Sequence, residues 1–137
     1  MAEPPVFTKS YDFVLWLFPR TQGFPKTYRP SLAAPLQQAS VELLVAIAGA
    51  RFGADRTGAL RQADASVETL RVLLRLAKDL RLVAPKHYLD GAGRLDELGR
   101  MVGGWSKKNP SAGSRATGLA PLDAGKGVTS RTPKGAG

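Results

Sequence analysis

The side chains able to carry acid–base, nucleophilic or metal chemistry are few in this chain, and they are poorly spaced for it. His87 is the single histidine, set between Lys86 and Tyr88, and there is no cysteine. Cysteine nucleophiles, thiolate zinc sites, disulfide frameworks and two-histidine zinc motifs are excluded together. Asp96 and Glu97 are adjacent carboxylates, but neighbouring residues of a helix point about 100° apart, so the two cannot readily share one proton or one metal ion. Gly91-Ala92-Gly93 has the composition of a phosphate loop. It follows no strand and lies inside a helical pattern, so that reading fails. No set of nucleophile, base and orienting group can be assembled from what remains. The chain reads as a non-enzyme with no metal and no cofactor.

What the chain holds in excess is positive charge. Twenty Lys and Arg stand against 11 Asp and Glu, a net charge of +9 over 137 residues. A surplus of this size favours polyanionic partners: nucleic acid, an acidic protein surface or anionic lipid. On an ideal helix Arg61, Asp64, Glu68, Arg71, Arg75 and Lys78 fall within about 100° of one another. This strip is acidic in its middle and basic at its C-terminal end, where Arg81 follows Lys78. Glu68 can pair with Arg71 and Arg75 at spacings of three and seven. The strip can be a solvated face whose cations favour the helix C-terminus. It can equally be a binding patch, since guanidinium groups contact phosphate or carboxylate oxygens in pairs. Lys107 and Lys108, after Trp105, carry the same two readings.

The elements that must hold this strip are helical. From Asn109 onward Gly, Pro, Ala, Ser and Thr dominate, and residues 109–137 are expected to be a disordered basic tail. It carries a net charge of +3, so +6 resides on residues 1–108. There the spacing predicts four helices. The first runs from about Val6 to Phe18 with a stripe of Phe7, Tyr11, Val14 and Phe18, and Pro19 ends it. Ser31 caps the second, whose stripe is Leu32, Leu36, Ala39, Leu43, Ile47 and Ala50. The third starts near Asp55 or Thr57 with a seam of Leu60, Ala63, Val67, Leu70, Leu74 and Ala77. The fourth begins at Pro85 and carries Tyr88, Leu95, Leu98, Val102 and Trp105. The small residues Gly91, Ala92, Gly99, Gly103 and Gly104 are expected to allow close helix approach. No strand pattern occurs. The expectation is an all-α, antiparallel up-down four-helix bundle with a disordered tail. No apolar run approaches the ~18 residues of a membrane span and the first residues lack signal-peptide character, so the reading is cytoplasmic without a membrane partner.

The third and fourth helices carry a further pattern. Ala63-Asp64, Leu70-Arg71-Val72-Leu73-Leu74-Arg75-Leu76-Ala77, Asp79-Leu80 and Glu97-Leu98-Gly99-Arg100-Met101-Val102-Gly103-Gly104-Trp105 resemble the accessory variability proteins of diversity-generating retroelements. Tyr11, Leu15-Trp16, Pro19 and Phe24-Pro25-Lys26 are similar to that family's first helix and following loop. The likeness covers about residues 6–108. It implies a four-helix bundle that forms a homopentamer, binds RNA or DNA through a basic surface and associates with the retroelement's reverse transcriptase, supporting error-prone copying of a template RNA without chemistry of its own. By position, Arg71 and Arg75 match the family's paired arginines and become the leading candidates for the polymerase or nucleic-acid surface. Lys78, Arg81, Arg61, Lys107 and Lys108 complete that set, and Trp105 matches a terminal Gly-Trp. Pro35 and the small-residue run Ala46-Ile47-Ala48-Gly49-Ala50 depart from the pattern. The competing reading is an oligomeric structural bundle akin to the four-helix proteins encoded in ribosomal RNA intervening sequences, without a nucleic-acid function.

Overall fold

A computed structural model describes residues 4–107, and within them it contains four α-helices and no strand. The expected tail, residues 109–137, and Lys108 lie outside the described residues. The compact unit that builds the bundle ends at Gly103.

Helix α1 spans Pro5–Gln22, starting with proline in its first turn, where the missing N–H costs nothing. It runs straight through Pro19, contrary to the expected stop at Phe18. Proline removes one backbone donor, but side chains brace the turn around it. Arg20 Nη1 donates to the Trp16 carbonyl at 2.7 Å, and Thr21 Oγ1 donates to the carbonyls of Leu17 and Phe18 at 3.1 Å each. Thr21 is buried and accepts a bond from Gln37 Nε2 at 2.9 Å, which ties the last turn of α1 to the next helix. The buried face of α1 also differs from the expected stripe. Val6, Ser10, Phe13, Trp16, Leu17 and Thr21 are buried, whereas Tyr11 is 49% exposed and Leu15 59%.

The second helical run starts earlier than expected and without a Ser31 cap: Ser31 is exposed and makes no capping bond. A 3-10 turn over Lys26–Tyr28 and a π turn over Arg29–Ala33 lead into α2, Ala34–Phe52. The wide turn closes through the Ala34 N–H to the Arg29 carbonyl, five residues back. It brings Pro35 into the first turn of α2, where no donor is needed. The expected stripe is buried at every position, with Leu36, Leu43 and Ile47 fully enclosed. Truncating Leu43 or Ile47 to alanine would cost about 2–5 kcal/mol. The run Lys26–Phe52 is the one stretch of the described residues long and apolar enough in composition to cross a membrane, a length the sequence reading missed. Here its inner face packs against α1 and α3.

Helix α3 spans Arg56–Asp79, and Asp55 caps it by accepting the Gly58 N–H at 2.9 Å. Its seam of Leu60, Ala63, Val67, Leu70, Leu74 and Ala77 is buried throughout. Helix α4 spans Pro85–Lys107 and buries Gly91, Leu95, Leu98 and Val102.

Consecutive helices run in opposite directions. Thr21 meets Gln37, and a Cβ on Gly49 of α2 would touch Ala59 of α3 at 3.7 Å. Along α3 and α4, Lys78 lies over Tyr88 while Arg71 reaches Asp96. Between α4 and α1, Trp16 bonds Asp90 and Lys9 pairs with Glu97, a step of seven residues in opposite senses. Four of the buried positions are hydroxyls (Ser10, Thr21, Ser40 and Ser66), and none is an ionisable side chain. The helix contacts therefore rest on apolar packing, and every charge of the described residues lies at or near the surface.

Candidate functional site

The Asp55 cap sets the register of α3, and the buried seam sets its rotation. The polar strip is thereby forced outward, with its basic end along the border with α4. The candidate cations take different positions there.

Arg71 is a clamp between α3 and α4. Its Nε lies 3.1 Å from Glu68 Oε2 one turn back, and its Nη1 donates to Asp96 across the helix interface. Gly99 makes room for it, since a Cβ there would stand 2.9 Å from Arg71 Nη2. The hydrogen bond to Asp96 holds the Arg71 guanidinium above its ordinary pKa; burial opposes this, and the charges of Asp96 and Glu68 reinforce it. Arg71 therefore stays charged at any working pH, with its charge shared between Glu68 and Asp96. Asp96 and Glu97 point to different helices, Asp96 to Arg71 and Glu97 to Lys9 at 3.6 Å.

Arg75, one turn on, is three-quarters exposed and only loosely tied, with Nε 3.9 Å from Asp79 Oδ2. Lys78 shares the same carboxylate, Nζ to Asp79 Oδ1 at 3.4 Å, and covers the Tyr88 ring at 4.8 Å. Arg81 closes the helix in an unusual way. The N–H of Arg81 bonds to the Lys78 carbonyl and that of Leu82 to the Ala77 carbonyl, both at 2.9 Å. This is a Schellman closure, whose turning residue adopts the left-handed conformation and is most often glycine. Arg81 fills it with φ of 63°, the one positive φ among the described non-glycine residues. A cation thus stands where glycine would be less strained.

The candidate set is not one patch. Arg75, Lys78 and Arg81 gather at the α3–α4 turn, with Asp79 as their only carboxylate partner among the described residues. Arg61 is exposed near the other end of α3, 14 residues from Arg75, or about 21 Å along the axis at 1.5 Å per residue. Lys107 is the last described residue of α4. Lys86, exposed in the first turn of α4, belongs to the turn cluster and was not singled out from the sequence. The signal was available: Pro85 marks the helix start, and the residue after it lies in that first turn.

Two other surface features escaped sequence reasoning. Trp16 donates its indole N–H to Asp90 Oδ2 at 3.0 Å, and Arg20 and Arg94 lie 4.5 and 5.6 Å from its ring. Arg94 also binds Asp90 at 3.0 Å, so the cluster ties α4 to α1. On α2, Val41, Val45 and Phe52 are exposed opposite the core face, at spacings of four and seven. An apolar stripe on both sides of a helix is the mark of one buried twice.

A family model described as bAvd-like matches residues 6–109. No curated protein matches the chain. The match takes in all four helices, the arginines of α3 and the Gly103-Gly104-Trp105 end of α4. The chain belongs to the bAvd-like family, the accessory variability proteins of diversity-generating retroelements.

Proposed function

We propose that this protein is the non-catalytic accessory subunit of its retroelement, working in the cytoplasm. It binds the reverse transcriptase, and template RNA or cDNA, through the basic α3–α4 side of the bundle. The observation that carries this reading is the α3–α4 turn, where Arg75 and Lys78 share one carboxylate, Asp79, and the exposed Arg81 and Lys86 follow in the chain. Cations already neutralised by partners contribute little to a polyanion site, and Arg75 and Lys78 have one carboxylate, Asp79, between them. Arg71, by contrast, spends its charge on Glu68 and Asp96 and serves by fixing the two helices that present the cluster. The protein acts as a homo-oligomer, a pentamer by its family resemblance. The α1–α2 side supports self-association, because Tyr11, Leu15, Val41, Val45 and Phe52 leave a broad apolar surface uncovered in the single chain.

The test is RNA binding by fluorescence anisotropy across a salt series. Four phosphate contacts to a single strand would give a slope of about 3 log units in affinity per tenfold salt. The variant Arg75→Glu with Arg81→Glu should lose about half of that slope or more while keeping its helicity and oligomer mass. Arg71→Glu is the poorer variant, since it would put a third carboxylate beside Glu68 and Asp96. Unchanged binding and slope in the double variant would remove the assigned site. A reverse transcriptase recovered with the tagged protein after nuclease treatment would support the accessory role, and its absence would favour the structural-bundle reading.

A further inference from the structure

Between α3 and α4, adjoining the cation cluster and sharing Arg75 with it, runs a groove of about 350 Å³. It is lined by Arg71, Val72, Leu74 and Arg75 on one side and by Tyr88, Ala92, Leu95 and Asp96 on the other. Its floor, Leu74 and Leu95, is part of the core. Val72 on its α3 wall is 65% exposed, and Leu89, next to Tyr88 on α4, is 69% exposed. Both leave apolar surface facing water beside the groove in the single chain.

The charges around the groove are unequal. Asp96 and Glu68 are both engaged by Arg71, and Asp79 is divided between Arg75 and Lys78. The rim is left with positive charge, carried most openly by Arg75. An occupant must therefore bring apolar side chains for Val72, Leu89 and the floor, together with carboxylates for Arg75. A nucleic acid would supply an anion for Arg75 but no apolar side chains. The one aromatic ring of the lining, Tyr88, is already covered by Lys78 at 4.8 Å and offers no open face for base stacking. A second copy of this chain would more naturally use the α1–α2 side, where Tyr11, Leu15, Val41, Val45 and Phe52 are exposed.

We infer that the α3–α4 groove docks an acidic amphipathic segment of a partner protein. Its apolar residues, spaced three and four apart, cover Val72 and Leu89, while its carboxylates pair with Arg75. Under the proposed function, on which this inference rests for the identity of the partner, the segment belongs to the reverse transcriptase. The groove then takes the polymerase, Lys78, Arg81 and Lys86 of the neighbouring turn take phosphate, and Arg75 stands at the border of the two.

The experiment places a photo-crosslinking phenylalanine analogue at Val72, and separately at Val45 on α2, in the full chain co-expressed with its reverse transcriptase. The crosslinked peptides are then sequenced by mass spectrometry. The expected result is a Val72 crosslink to one polymerase segment with carboxylates interleaved among apolar residues, and none to that segment from Val45. A synthetic peptide of the segment should bind the wild-type protein and lose about tenfold in affinity with Arg75→Glu. Reversing the facing carboxylate of the peptide to lysine should restore binding to that variant. A Val72 crosslink to RNA, to a second copy of the chain or to a basic segment would overturn the inference. So would an intact polymerase complex with no Val72 crosslink, which leaves the accessory role standing. Failure to form any complex with the polymerase would overturn both.

Discussion

Gly91 offers a sharp test of how the bundle is packed, because its neighbour Gly93 serves as a control on the same turn of the same helix. A Cβ built on Gly91 would stand 2.6 Å from Trp16 Cη2 and 2.7 Å from Leu74 Cδ2. Carbon atoms rest at about 3.5–4.0 Å, so Gly91→Ala forces a displacement of roughly 1 Å. Trp16 cannot supply it freely. Its indole is held by Asp90 at 3.0 Å, and its ring stacks on Phe13 at 5.6 Å between centroids. Overpacking of this kind costs about 1–3 kcal/mol, while replacing a helical glycine by alanine returns about 1 kcal/mol. Gly91→Ala should thus destabilise the fold by about 1 kcal/mol. At Gly93 a Cβ would meet nothing within 4 Å, so Gly93→Ala keeps the helical gain and stabilises by up to about 1 kcal/mol. The gap of about 2 kcal/mol corresponds to roughly 8–16 °C between the two melting temperatures for a domain of this size. Circular dichroism melts read it directly, at one protein concentration so that self-association does not enter. If both variants melted above wild type by the same amount, the close meeting of α1, α3 and α4 at Gly91 would be refuted.

Arg81→Gly should stabilise the protein by about 0.5–1 kcal/mol, because glycine adopts the left-handed turn without the ~1–2 kcal/mol penalty and returns only part of it as chain entropy. The same variant should weaken RNA binding and lower its salt slope; a loss of stability would show that the Schellman turn depends on the arginine side chain. Asp90→Ala leaves the Trp16 indole N–H without its acceptor and should cost about 1–3 kcal/mol in urea unfolding, where an unchanged midpoint would discard the Trp16–Asp90–Arg94 tie. A double-mutant cycle of Arg71→Met with Asp96→Asn should give a coupling of no more than about 1 kcal/mol that shrinks with salt, since both side chains are partly solvated. A coupling of several kcal/mol would contradict that solvation. Val45→Asp with Phe52→Asp should reduce the oligomer mass in light scattering without loss of helicity, and an unchanged mass would remove the α1–α2 side as the self-association surface.

The division of the cations matters for how such a protein could work. One arginine of α3, Arg71, is bound on two sides and links α3 to α4, while another, Arg75, remains open at the groove rim. A binding surface built this way keeps its geometry from buried leucines and one clamp. Its affinity can then come from exposed side chains that cost the fold little when changed.

Helix number, helix type and the buried seams of α2 and α3 were legible in the residue order, because each seam repeats with the period of a helix and is interrupted by few apolar residues elsewhere on α3. The separation of Asp96 from Glu97 followed from the same geometry. The inner face of α1 was not legible. Apolar residues surround that helix on most sides, and the choice of Phe13, Trp16 and Leu17 over Phe7, Tyr11 and Phe18 depends on what α2 and α4 present to it. The passage of α1 through Pro19 was not legible either: the carbonyl that the proline leaves without its helical donor belongs to Leu15, on the exposed side of the helix. Charge order along α3 indicated a basic strip but not its use. Partners three residues apart, such as Glu68 and Arg71, can be read from spacing, whereas Asp96 reaches Arg71 from 25 residues away only once α4 packs antiparallel on α3. That packing separates a structural arginine from the exposed cations of the turn, and one-dimensional periodicity carries no information about it.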